Sequence, residues 1–338
     1  MAVSLAKAFN PAIVFVLLID ENTQIYTFLY ECPKLATVFC RGRPLSAAFM
    51  KISDGQCWRL AEVFVTLNIE KFFNTPKQTT VTDMKKFLTL VMAALVAGTA
   101  FAAEQFEKKQ YISQRGDTLP YRLLTPENQQ KGEKYPLVIF LHGAGERGTD
   151  NEKQLVHGGQ MFLNPVNRME YPAFVIAPQC PPDGYWAYND RPESFDSDKM
   201  PKDQKISPVF ASLKELIDSY LSRADVDTDR VYIMGLSMGA MGTFDMVCRF
   251  PDVFAAAIPI CGTVNASRLA AAKNVKFRIF HGDADNVVPV DGSRNAYRAL
   301  KAAGADVEYI EFPGCNHGSW NPAFNYPDFM KWLFSQHK

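Results

Sequence analysis

Gly235-Leu236-Ser237-Met238-Gly239 lies between two apolar stretches of the chain. Before it runs Val231-Tyr232-Ile233-Met234, short and continuous, which predicts a buried strand. After it runs Ala240-Met241-Gly242-Thr243-Phe244-Asp245-Met246-Val247, which predicts a helix. A serine between strand and helix with glycine two residues away on either side predicts a strained turn. Side chains at the two glycine positions would collide with the neighbouring strand and helix, so only glycine fits. The turn projects the serine Oγ out of the sheet, within reach of a histidine and of a substrate carbonyl.

A serine used as a nucleophile needs a base to take its proton and a third group to orient that base. Downstream of Ser237, Val275-Lys276-Phe277-Arg278-Ile279-Phe280 alternates in polarity and predicts a strand ending in His281-Gly282-Asp283-Ala284-Asp285-Asn286-Val287-Val288-Pro289. Asp283 and Asp285 both stand where an acid could accept from a histidine Nδ1–H, although aspartates also favour such turns for structural reasons. The next predicted strand, Val307-Glu308-Tyr309-Ile310-Glu311-Phe312, leads into Pro313-Gly314-Cys315-Asn316-His317-Gly318-Ser319-Trp320. Only His317 and the penultimate His337 follow both aspartates, and His317 sits on a loop at the end of a strand, where a base belongs.

Strand, G-x-S-x-G and helix, followed by acid and then histidine, resembles the serine turn and the triad order of the α/β-hydrolases. That resemblance implies an oxyanion hole of two backbone N–H donors aimed at the developing negative charge. Met238, next after the serine, would supply one. The other would come from the loop after an earlier strand. Tyr135-Pro136-Leu137-Val138-Ile139-Phe140-Leu141 predicts that strand and His142-Gly143-Ala144-Gly145 the loop, with Ala144 as donor or Gly143 as its alternative. His142 precedes Ser237 and reads as a structural loop residue.

Four motifs together are similar to one narrower group. They are Leu141-His142-Gly143-Ala144-Gly145-Glu146-Arg147-Gly148, the Gly-Leu-Ser-Met-Gly turn, His281-Gly282-x-x-Asp285-x-x-Val288-Pro289 and Asn316-His317-x-x-Trp320. The group is the small secreted esterases related to polyhydroxybutyrate depolymerases and feruloyl esterases, also labelled phospholipase/carboxylesterase or prolyl-oligopeptidase-like. The resemblance covers residues 110–338. It implies Ser237 as nucleophile, Asp285 rather than Asp283 as acid, and His317 as base, with neither cofactor nor metal. It suggests acylated polysaccharide or a hydroxycinnamate ester as substrate. A prolyl-oligopeptidase-type peptidase is the nearest rival, but the chain has no room for the large propeller those enzymes carry. A non-catalytic binding protein on the same scaffold would predict a broken triad or a lost turn glycine, and both are intact here.

Composition agrees with a globular enzyme. The 36 basic and 36 acidic side chains balance, which argues against a nucleic-acid partner and against an acidic tail. Hydrophobic content of 47% and charged content of 21% are ordinary for such a protein. Seven cysteines show neither a CxxC pair nor a zinc-like spacing. One disulfide among Cys180, Cys248, Cys261 and Cys315 would suit an exported protein, with no pairing legible in the sequence.

Met84-Lys85-Lys86 opens a second pattern. An apolar run, Phe87 to Gly98, follows it, and then Ala100-Phe101-Ala102. Basic start, apolar centre and A-x-A site make a bacterial secretory signal. Met84 therefore reads as the true start, residues 1–83 as a mis-assigned, poorly ordered extension, 84–102 as the signal, and 103–338 as the catalytic domain. The mature enzyme is expected in the periplasm or medium. No stable membrane anchor is expected, since the apolar stretch is at the short end for a span.

The catalytic region predicts a hairpin over 111–114 and 121–124, a long polar loop over 146–170, and a strand Phe174-Val175-Ile176-Ala177. Helices are predicted over 207–223, 294–303 and 327–336, and a strand over 255–260. Strands alternating with helices predict an α/β fold with a mostly parallel central sheet and helices on both faces. Trp186, with Tyr185 and Tyr188, and Trp320 are expected to form an aromatic wall at the substrate. Glu146 and Arg147 are expected to pair and hold the oxyanion loop.

Overall fold

The protein is seen in a computed structural model that describes residues 14–19, 25–30 and 106–338. In the N-terminal unit, β1 (Val14–Ile19) and β2 (Ile25–Tyr30) pair antiparallel, with Val14 opposite Tyr30. Both strands fall within the stretch read from sequence as a mis-assigned, poorly ordered extension. The remainder, and the signal reading over 84–102, lie outside the described residues.

The second unit is built on eight strands: β3 (Glu107–Ile112), β4 (Thr118–Leu124), β5 (Tyr135–Leu141), β6 (Phe174–Pro178), β7 (Val226–Leu236), β8 (Ala256–Ile260), β9 (Lys276–Gly282) and β10 (Val307–Phe312). Their spatial order is β10-β9-β8-β7-β5-β6-β4-β3. The six from β5 to β10 are parallel, while β4 runs antiparallel to both β6 and β3. From β5 the chain steps outward to β6 on one side, then returns to place β7 on the other. The loops leaving β5 and β7 therefore diverge, opening the crevice at which doubly wound sheets bind ligands.

Central strands are apolar at every position because both faces are covered. On β5, Leu137, Ile139 and Leu141 face one core, and Val138 and Phe140 face the other. The first core packs under α3 (Pro208–Leu221), α4 (Met238–Arg249) and α5 (Asp291–Ala302). The second packs under α1 (Gly159–Leu163), α6 (Trp320–Phe324) and α7 (Phe329–Phe334). Each fully buried Leu or Phe contributes roughly 1.5–3 kcal/mol. Helix α3 starts where its sequence says it should: Ser207 accepts from Phe210 N–H and Pro208 takes the first turn.

Two stretches differ from the sequence reading. The loop expected over 146–170 is largely helical, with 3₁₀ turns at Ala144–Glu146 and Lys153–Leu155, then α1 and α2 (Pro165–Glu170). Gly158 at φ 82° packs against Phe140 and Phe324, so it anchors the segment. Strand β7 begins at Val226 rather than Val231 because Asp227-Thr228-Asp229-Arg230 hides the apolar period. Among the described residues all four cysteines are free thiols, so no disulfide forms there. No helix among those residues is long and apolar enough to cross a membrane.

Candidate active site

Ser237 follows β7 with φ 53° and ψ −115°, a left-handed strain for a residue with a side chain. Close packing on both sides enforces it. A Cβ on Gly235 would stand 2.5 Å from Gly239 O, and one on Gly239 would overlap Leu141 O. Ser237 N–H donates to Ile260 O at 2.9 Å, tying the turn to the end of β8.

His317 comes from the loop after β10 and Asp285 from the loop after β9. His317 Nε2 lies 2.9 Å from Ser237 Oγ and its Nδ1 lies 2.7 Å from Asp285 Oδ2. Because Nδ1 faces a carboxylate it donates, which leaves Nε2 as the acceptor for the serine hydroxyl. The side chain of Asp285 is fully buried. Burial alone would push its carboxyl up. Hydrogen bonds from His281, His317 and the Val288 and Val287 N–H groups outweigh that and hold it well below the usual carboxylate range. Asp283 turns away and accepts from Gly314 N–H at 2.6 Å, stabilising the loop that carries His317.

Met238 opens α4, so its N–H has no acceptor within the helix. Ala144 opens the 3₁₀ turn after β5 in the same way. The register pairs Leu141 with Gly235, so the β5 loop and the serine turn leave neighbouring strands at one level. Behind the loop His142 is buried, its Nδ1–H donating to Gly143 O at 2.6 Å and its Nε2 accepting from Cys180 N–H at 3.0 Å. Burial lowers this imidazole to about 4, so it is a neutral strut at neutral pH.

The aromatic wall needs correction. Trp186 is 0% exposed, and Tyr185 and Tyr188 are buried too. The indole N–H of Trp186 donates to His142 O at 3.0 Å and its ring packs edge-on against His142. Trp186 thus supports the loop after β5 from beneath and presents no face to a substrate. Trp320, half-buried, remains beside the site, its ring 5.5 Å from that of His317. Its other neighbour is His157, 5.1 Å away, which sequence reading passed over. The expected Glu146–Arg147 pair is also replaced. Arg147 Nε donates to Ala144 O at 3.0 Å, while Glu146 faces His157 at 3.6 Å.

Among the described residues, Cys261, Asp285 and His317 bring atoms of metal-ligating type within 4.8 Å of one another. Asp285 and His317 already bond each other there, and burial pushes the Cys261 thiol well up. A metal there would need the deprotonated Cys261 thiolate, which burial disfavours.

A mostly parallel sheet whose strand ends present a serine, an aspartate and a histidine in this order defines an α/β-hydrolase. Residues 127–327 match the family described as Phospholipase/Carboxylesterase, and the chain belongs to that family. It is a serine carboxylic-ester hydrolase. A probable carboxylesterase, SOBER1-like, of Arabidopsis thaliana is 25% identical over 74% of this chain and 94% of its own length. Poly(3-hydroxyalkanoate) depolymerase C of Paucimonas lemoignei is 45% identical over 38% of this chain, which spans only 28% of that protein. Among solved structures, a thermostable esterase is 36% identical with a TM-score of 0.64, covering 70% of this chain and 64% of its own. A ferulic acid esterase at 18% identity and TM-score 0.50, covering 68% of this chain and 98% of its own, shares the fold.

Proposed function

We propose that the protein is an exported serine esterase that removes acetyl or feruloyl groups from a polysaccharide through an acyl-enzyme. One observation carries the mechanism: a single imidazole, His317, spans Ser237 Oγ and Asp285 Oδ2 at 2.9 and 2.7 Å. Ser237 Oγ attacks the ester carbonyl while His317 Nε2 takes its proton. Asp285 stays ionised and steadies the imidazolium. Met238 and Ala144 N–H groups receive the oxyanion. His317 then hands its proton to the alcohol oxygen as the C–O bond breaks, leaving acyl-Ser237. Water attacks that ester with His317 again as base, and the carboxylic acid departs. None of these steps calls on a metal or an organic cofactor.

The substrate class is supported by the four-motif resemblance, and export by the signal pattern beginning at Met84. The test uses residues 103–338 beside Ser237→Ala, with acetate and ferulate released from arabinoxylan measured for both. Release by the parent alone supports a polysaccharide esterase that uses Ser237. Release by neither discards the polysaccharide. N-terminal sequencing of exported enzyme should begin near Ala103, and a start elsewhere would sink the signal reading.

A further inference from the structure

Asp285 is held by two histidines. Beyond His317, the ring of His281, last but one on β9, reaches the same oxygen: His281 Nε2 lies 3.1 Å from Asp285 Oδ2. The same nitrogen lies 3.0 Å from Val288 O. Both partners are acceptors, so Nε2 carries a proton and donates to them. The opposite nitrogen, Nδ1, lies 2.7 Å from Ser293 Oγ, in the first turn of α5. Ser293 Oγ in turn lies 3.2 Å from Gly262 O. His281 and Ser293 are both 0% exposed. A buried imidazole with partners on both nitrogens is a built contact. The triad steps use none of it.

We infer that His281 is a positioning residue for the acid, and that it sets the strength of the Asp285–His317 hydrogen bond by sharing its acceptor oxygen. The inference rests on the reading of Asp285 as the acid. Oδ1 is committed to Val287 and Val288 N–H at 2.9 and 3.0 Å, which fixes the plane of the carboxylate. Oδ2 then serves two imidazoles at once. Each donor on that oxygen reduces the negative charge available to the other. Remove His281, and Oδ2 serves His317 alone. The His317 imidazolium is then held more tightly, so the base is lost to protonation at a higher pH. The carboxylate also loses the strut that aims Oδ2.

Other groups around this ring are already accounted for. Glu311 on β10 is the register partner of His281 and is bonded through both oxygens to Arg294. Tyr309 O–H also donates to Glu311. The Cys261 and Cys315 thiols near Asp285 are pushed up by burial, and Asp283 is engaged by Gly314 N–H.

The experiment compares kcat, KM and the pH profile of kcat/KM for the parent, His281→Ala, His281→Gln and Ser293→Ala, using a soluble aryl acetate. For His281→Ala, kcat should fall about tenfold with KM within about twofold, and the acidic limb should move up by about one pH unit, the worth of one hydrogen bond to a charged group. His281→Gln restores a donor to Oδ2, and its limb should return toward the parent's. Ser293→Ala frees the far side of the ring and should move the limb in the same direction by less. A role confined to packing would lower the melting temperature of these variants and leave the limb in place. Limbs of His281→Ala and Ser293→Ala that coincide with the parent's overturn the inference. Should His281→Ala not fold, Ser293→Ala decides alone on the same criterion. Asp285→Asn separates the two readings. If it keeps parental activity, the triad assignment itself fails. If it is inactive while the limbs stay put, only the role of His281 fails.

Discussion

The carbonyl oxygen of Leu141, at the end of β5, occupies the place a Cβ on Gly239 would take. The strand that leads to the oxyanion loop thus touches the first turn of the helix that follows the serine. Gly239→Ala cannot be accommodated by rotating a side chain, because the obstacle is backbone. The variant is expected to lose at least about 4 kcal/mol of stability or to yield no soluble protein. Urea unfolding checks this, and a loss under about 1 kcal/mol would mean that β5 and α4 can separate there.

His142 gives the fold a defined acid sensitivity. Its folded value is lowered to about 4 by burial, while an unfolded histidine titrates near 6.5. Between those values the unfolded chain binds more protons, so the stabilisation is complete above 6.5 and lost as pH falls toward 4. The full effect is about 3 kcal/mol. His142→Gln keeps an acceptor for Cys180 N–H but does not titrate. It should be less stable than the parent at pH 7 yet show a flatter dependence of unfolding free energy between pH 6.5 and 4. Parallel curves would exclude His142 as the source.

Trp186→Phe keeps a ring in the core and deletes only the N–H bonded to His142 O. If Trp186 supports the oxyanion loop, kcat should fall by about tenfold, less than the loss from deleting an oxyanion donor outright. The factor should match for an acetyl ester and a bulky aromatic ester. A loss confined to the aromatic ester would return Trp186 to the substrate wall.

Trp320 is the contrasting case. Trp320→Ala removes the ring between His317 and His157. It should raise KM for an aromatic ester by about tenfold, the worth of roughly 1.4 kcal/mol of lost contact. KM for an acetyl ester should change little. Equal effects on both would show that the ring acts by holding His317.

Much of this site was legible because backbone geometry dictated residue type. Ser237 between Gly235 and Gly239 announces a turn that tolerates no Cβ, and His317 follows from chain order. The choice between Asp283 and Asp285 was less legible, since both suit a turn and only the side chains' directions separate them. Trp186 was misread because an aromatic in a Pro- and Gly-rich loop looks the same whether it faces inward or out. The helical turns between 146 and 170 were hidden by short length: α1 and α2 span five and six residues, too few for a period to emerge. His281 was noticed only as part of a motif, because its chemistry depends on Ser293 and Val288, and pairing across a fold leaves no local trace.

Gly282 has no side chain where Cys315 O presses against it, and Ala284 N–H donates to that same oxygen at 3.0 Å. The loops bearing Asp285 and His317 are therefore clasped to each other, and a shift in one drags the other. An insertion in either would misalign two members of the proposed triad together, so these loops are poor places to engineer a new substrate preference. The segments over 146–170 and 183–206 carry no member of the proposed triad, so away from Gly158 and Trp186 their sequence can vary without disturbing the clasp.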